Sequence, residues 1–227
     1  MSQLHELSEG VWSQPSSIRV GLFALPRRSV IARLPSGGLF VHSPNALDEA
    51  LRVELAQLGD VEHVVAPNLL HHAHLADWRA AYPRAIVHGA PGLAAKKREL
   101  VFDRVLGPEP DPAWSGVFDQ RLVTGAPRLG ETLFLHRPSR TLVLTDLAFH
   151  IGAEASFGVR LMMRLNGRYG EPGPTRVLKT YLEDRGEVRR VLLDVCDSWD
   201  FERVHVAHGE PLEHGRAALR AAYADLR

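Results

Sequence analysis

A single cysteine, Cys196, in 227 residues excludes an internal disulfide framework and any multi-cysteine metal site within one chain. Charge of one sign is also missing: Lys plus Arg and Asp plus Glu are 27 each, so no long-range field favours nucleic acid or an anionic membrane. No apolar run approaches the length of a membrane span. The first ten residues have neither a basic start nor an apolar stretch, so no signal peptide is expected and the cytoplasm is the expected location. No Gly-x-Ser-x-Gly elbow and no Gly-x-x-x-x-Gly-Lys-Ser/Thr loop occurs, which removes the starting residues of a serine hydrolase and of a nucleoside-triphosphate site. Histidine, by contrast, is plentiful, with 12 in the chain. An apolar fraction of 45% suffices for one sizeable core, and a single domain over 1–227 is expected.

The first stretch reads as short strands: Val11 to Trp12, Ile18 to Leu22, Val30 to Leu34 and Leu39 to His42, the last two joined by a Pro35-Ser36-Gly37-Gly38 turn. Asn45 or Asp48 is placed to cap a helix ending near Leu58, followed by a buried strand from Val61 to Ala66. A helix from Leu75 to Tyr82, a strand from Ala85 to His88 and a helix from Pro91 to Leu100 continue the alternation. Three strand candidates follow, at Arg121 to Thr124, Thr132 to His136 and Thr141 to Thr145. From Phe157 to Asp200 the pattern is helical, broken at 167–174, and it forms an expected helical insert at about 151–200. A strand from Arg203 to Ala207 and a terminal helix from about Leu212 close the chain.

The densest chemistry follows the Val61 to Ala66 strand, where His71, His72, His74 and Asp77 fall within seven residues. Imidazole and carboxylate groups at a strand end are what borderline divalent metals prefer. Far along the chain, Leu144-Thr145-Asp146-Leu147 and His208-Gly209-Glu210-Pro211 each follow an apolar strand. Each also has a plainer reading. Asp146 could cap a helix, His208 could open the last one, and His71 and His72 could be backbone-bonded residues at a helix start.

These segments, in this order, resemble the metallo-β-lactamase fold. The resemblance implies an α/β architecture, a four-layer αββα sandwich of two mixed sheets flanked by helices. It also implies a metal site at one sheet edge, with Asp146 as the bridging aspartate and His208 as the last histidine ligand. The leading His-x-His-x-Asp-His motif is altered: its register reads Pro67-Asn68-Leu69-Leu70-His71-His72, which removes the first two histidines and puts His71 and His72 at its last two positions. The Pro-Gly-His turn is replaced by 125–131, whose Glu131 offers an oxygen contact instead. The chain is thus similar to an uncharacterised branch of the fold.

The metal ligands expected are His71, His72, Asp146 and His208, with Asp146 also catalytic and His74, Asp77, Glu131 and His150 in supporting or substrate roles. The loss of two histidines argues for one metal, zinc or another divalent transition metal. Two functions follow. One is a metal-dependent hydrolase of an ester, thioester or phosphoester small molecule, with a metal lowering the pKa of its water toward ~7. The other is a non-catalytic member of the fold that binds a ligand or partner. Neither nucleic acid nor membrane is an expected partner. The segment Arg160-Leu161-Met162-Met163-Arg164-Leu165-Asn166 suits a pocket wall or a homodimer contact through 157–200. Cys196 reads as core, His42 as a buried structural residue, and His136 as remote from the site.

Overall fold

The structure is a computed structural model and describes residues 3–226; Met1, Ser2 and Arg227, part of the unit expected over 1–227, lie outside the described residues. Strands β1 (His5–Ser8), β2 (Val11–Val20), β3 (Phe23–Arg33) and β4 (Leu39–His42) open it. Helix α1 (Glu49–Leu58), β5 (Val61–Ala66), α2 (Leu75–Ala81), β6 (Ile86–Gly89), α3 (Leu93–Lys96) and β7 (Arg104–Val105) follow. These seven strands form one sheet in sequence order, antiparallel up to β4 and parallel from there. The second sheet is made of β8 (Phe118–Leu122), β9 (Thr132–His136), β10 (Thr141–His150) and β11 (Arg203–Gly209), in the order β11-β10-β9-β8. Between β10 and β11 lie α4 (Phe157–Leu165), a 3-10 turn (Leu178–Thr180) and α5 (Arg185–Ser198), and α6 (Gly215–Ala224) ends the chain.

The layering follows from side-chain alternation along strands buried on both faces. Val30, Ala32, Phe40 and Val65 point from the first sheet onto Trp114, Phe118, Phe134 and Val143, filling the space between the sheets. Their neighbours Ile31, Leu39, Val41 and Val64 point the other way, onto Leu51 and Leu55 of α1 and Leu75 and Trp78 of α2. On the second sheet, Leu133, Leu142 and Leu144 face Val188, Leu192 and Val195 of α5 and Leu219 of α6. Helix, sheet, sheet, helix is therefore the order of layers, an αββα sandwich. Cys196 is buried in the outermost of these clusters.

Several elements differ from the sequence reading. The early short strands merge into a long hairpin of 10 and 11 residues whose tip is Gly21-Leu22. Its outer half, at 15–19 and 25–28, alternates between more and less buried positions because it leaves the sheet-to-sheet core, whereas 29–32 are buried throughout. The strand expected at Arg121 to Thr124 runs instead over Phe118–Leu122, and β10 continues past Thr145 to His150 through a register shift against β11. The helix expected from Pro91 to Leu100 is a single turn. Asp48 caps α1, its carboxylate accepting from Leu51 N at 2.8 Å.

Candidate functional site

At one edge of the sandwich, the turn beyond β5 carries His71, while Asp146 lies within β10 and His208 next to the last residue of β11. After β5, Asn68 organises the turn: its Oδ1 accepts from both Leu70 N and His71 N at 2.8 Å, holding the backbone that presents His71. Its Nδ2 donates to Asp146 Oδ2 at 2.7 Å and to Thr145 Oγ1 at 2.8 Å, tying this turn to β10 in the opposite sheet. Thus one amide sets both the His71 turn and the Asp146 carboxylate. Glu131, fully buried, accepts from the backbone N–H groups of Thr145, Asp146 and Leu147 at 2.6, 2.9 and 3.2 Å. It shapes the β10 backbone at Asp146 and is not among the clustered donor atoms. Burial and the nearby Asp146 push its carboxyl up to about 7, against those backbone hydrogen bonds.

His71 Nε2 lies 3.1 Å from Asp146 Oδ2, and His208 Nε2 lies 3.4 Å from Asp146 Oδ1. One ligand-type atom from each of these three buried residues lies within 4.8 Å of the other two, a group that could hold a metal ion. The far nitrogens are tied off. His208 Nδ1 bonds Pro26 O at 2.9 Å, and His71 Nδ1 meets Ser43 Oγ at 2.5 Å with Arg27 Nη2 at 3.5 Å. Ser43 holds a left-handed backbone, φ 55°, and at a non-glycine residue that strain is found where the surrounding structure imposes it. Gly209 is required for close approach: a β-carbon there would lie 1.8 Å from His150 O. Phe149 stacks on the His208 ring at 4.7 Å.

Burial pushes His71 down to about 4, an effect Asp146 partly offsets, so the imidazole is neutral at pH 7. Burial opposes ionisation of Asp146 too, yet His71 and His208 beside it hold its carboxyl well below the usual carboxylate range. The fit to a metal turns on the His208 tautomer. A carbonyl oxygen only accepts, so His208 Nδ1 carries the hydrogen, and a neutral ring then aims the Nε2 lone pair at an ionised carboxylate oxygen. A cation satisfies that arrangement, either a metal ion between the two or the proton of an imidazolium. Two imidazoles and one carboxylate, each with its outer atom hydrogen-bonded, form the donor set of a borderline divalent metal.

His72, the fourth ligand candidate, lies outside this cluster; adjacent residues leaving a strand end point in different directions, and its electrostatic neighbours are Lys97, Lys96 and Glu99. His74 stands at the start of α2 with Nδ1 3.8 Å from Asp77 Oδ2, and neither belongs to the clustered donor atoms. His150 Nδ1 bonds Glu210 O at 2.8 Å. His42 is buried as expected, though its Nε2 has no hydrogen-bond partner, and His136 bonds Ser139 Oγ in its own hairpin turn. Three residues that the sequence reading missed belong here: Asn68, Ser43 and Arg27. Only Asn68 carried a signal, its place directly after the β5 strand. Arg27 is buried and lines the cleft, its Nε without a partner. The cleft has a volume of about 280 Å³ and is lined mainly by apolar side chains, together with Arg27, His71, Asp146 and His208.

Fold and site together define a protein with the metallo-β-lactamase fold. The metallo-beta-lactamase from Pontibacter korlensis superposes with a TM-score of 0.69 over 98% of this chain and 98% of its own, at 11% identity. The Erythrobacter litoralis metallo-beta-lactamase with beta-mercaptoethanol in the active site gives 0.69 over 98% and 96%, at 12% identity. DIM-1 metallo-beta-lactamase exposed to ceftazidime gives 0.69 over 97% and 95%, also at 12%. At these identities the likeness is one of fold. Within it, the chain belongs to the family described as Domain of unknown function (DUF4336), whose profile matches residues 8–163. That match includes His71 and Asp146 and stops short of His208. No curated protein matches the chain.

Proposed function

We propose that the protein is a hydrolase with one divalent metal, zinc or a similar transition ion, held by His71, Asp146 and His208. The observation that carries this reading is the convergence of His71 Nε2 and His208 Nε2 on the two oxygens of Asp146, at 3.1 and 3.4 Å, while each Nδ1 is engaged elsewhere. A divalent ion there supplies Lewis acidity and an ionisable water with a pKa lowered toward ~7. The chain's own groups do the rest. Asn68 fixes Asp146 Oδ2, so the carboxylate keeps Oδ1 toward His208. Arg27, which lines the cleft, offers a fixed positive charge to an oxygen gaining negative charge, the kind of preorganised group that stabilises acyl or phosphoryl transfer. The apolar walls, with Phe149 against His208, exclude bulk water and strengthen both effects. An ester, thioester or phosphoester of small size suits a cleft of this volume and wall chemistry.

A second reading, a non-catalytic ligand-binding member of the fold, is favoured by Arg27, whose positive charge lies beside His71 and opposes a divalent cation. In that reading the cluster is closed by hydrogen bonding between Asp146 and the two imidazoles. Turnover of a panel of aryl esters, thioesters and phosphoesters, measured after reconstitution with zinc or manganese, separates the two. The hydrolase reading expects metal-dependent turnover that Asp146→Asn removes. Ligand binding with no turnover under any metal contradicts it.

A further inference from the structure

Large apolar side chains are exposed at ten positions among the described residues, and seven of the ten lie on the β2–β3 tip or within 157–177. The two segments are in contact: a β-carbon on Gly158 would lie 2.6 Å from the Phe23 ring, and Val20 and Val177 line the same cleft. Leu22, at the tip, is 92% exposed. Helix α4 carries two apolar stripes. Val159 and Met163 are buried with Leu25 and Ile151, while Phe157, Leu161 and Leu165, four residues apart and therefore on one side, face solvent at 70%, 44% and 67% exposure. No described residue covers that outer stripe.

The charges around it are equally one-sided. Residues 157–179 contain Arg160, Arg164, Arg168, Arg176 and Lys179 against the single acid Glu171, and Arg19 stands beside Val20 at the hairpin tip; farther along the hairpin Arg27 is buried and Arg28 is paired with Glu210. Elsewhere arginines are paired, as in Arg79–Asp103, Arg121–Asp194 and Arg137–Asp119. None of the five cations of 157–179 forms an ion pair with any described residue. Arg160, Arg168 and Arg176 donate to the carbonyls of Ala153, Pro174 and Leu165, and Arg164 lies 4.0 Å above the Tyr169 ring. These contacts hold the guanidiniums in place without neutralising them. The formal net charge of zero, on which the no-membrane expectation rests, averages over this face.

An apolar stripe framed by uncompensated cations calls for an anionic, partly apolar partner. A second copy docked symmetrically would set these cations against their own images. We propose that this face, the β2–β3 tip with the outer stripe of α4, docks on an anionic lipid bilayer surface. Leu22, Phe157, Leu161 and Leu165 enter the headgroup boundary, and the arginines meet lipid phosphates. The mouth of the apolar cleft then opens toward the bilayer. The inference goes beyond the hydrolase reading and stands whether or not the site holds a metal.

Co-sedimentation of the full chain with vesicles of phosphatidylcholine alone, and of equal parts phosphatidylcholine and phosphatidylserine, tests it. The expected result is binding to the anionic vesicles, weakened by salt, with little on the neutral ones. Leu161→Glu with Leu165→Glu lowers binding by about tenfold or more, and Arg160→Gln and Arg164→Gln lower it by about fivefold each. Leu22→Glu, at a position almost fully in solvent, gives the same direction without touching the helix, and thermal melting verifies that each variant is folded. Failure to bind anionic vesicles overturns the proposal, as does equal binding by the variants. A dimer in solution that Leu161→Glu dissociates, with no vesicle binding, overturns it in favour of a second copy as the occupant.

Discussion

Two pairs of buried histidines in this molecule use the same side chain to opposite ends. His63 on β5 and His88 on β6 meet Nδ1 to Nε2 at 3.0 Å, with Trp114 against both rings at 5.3 and 4.8 Å. One neutral ring donates and the other accepts, so the pair is complete in itself. His71 and His208 come from different sheets, with ring centres 5.3 Å apart, and their Nδ1 atoms are engaged by Ser43 and Pro26. Both Nε2 atoms therefore converge on Asp146 instead of on each other. Burial and imidazole count are alike in the two pairs. What differs is which nitrogen is already engaged and whether a carboxylate stands between the rings.

The largest effect is expected at the carboxylate. Asp146→Asn leaves His71 and His208 in place and removes the charge, and metal content, by elemental analysis, falls from about one ion per chain to near zero. Ser43→Ala frees the His71 ring to rotate, and titration with a competing chelator should show metal affinity lowered by about 10–100-fold. His88→Leu acts on the other pair: it strands His63 Nδ1 in the core and costs about 1–3 kcal/mol in urea unfolding, with metal content unchanged. Acid is a milder probe. Burial pushes His88 down to about 4 and His205 down to about 3, so between these values and the ordinary 6.5 the unfolded chain binds protons that the folded one does not. Stability then falls as pH drops from about 6.5 to 4, by up to about 1.4 kcal/mol per pH unit for each such histidine. Glu131, raised to about 7, works in the opposite sense above its ordinary value. The acid slope of His88→Leu should be shallower than that of the unmodified chain. Smallest of all is His72→Ala, half-buried and outside the cluster, with less than about 0.5 kcal/mol lost and metal binding unchanged.

The contrast between the pairs also explains how far the sequence could be read. Strands β5, β10 and β11 were legible because burial on both faces makes them continuous apolar runs, and α1 was legible through Asp48. The β2–β3 hairpin was not, because its outer half carries Pro15, Arg27 and Arg28 and follows the rim of the cleft. Asp146 and His208 were found through their resemblance to a known order of motifs, since 62 residues of chain, 146 to 208, give no spacing rule. His71 and His72 looked equivalent in sequence, and only the turn set by Asn68 distinguishes them. Ser43 and Arg27 belong to common residue types with no characteristic spacing, and their roles exist only once the two sheets are face to face. The local excess of cations was likewise hidden by a balanced total.

The decisive quantity is the number of metal ions bound per chain by protein purified without chelator and reconstituted with zinc, measured side by side for the unmodified protein, His208→Ala and His88→Leu. About one ion for the unmodified protein and for His88→Leu, with near zero for His208→Ala, is the predicted result. Near zero for all three, or equal content in His208→Ala and the unmodified chain, would contradict it.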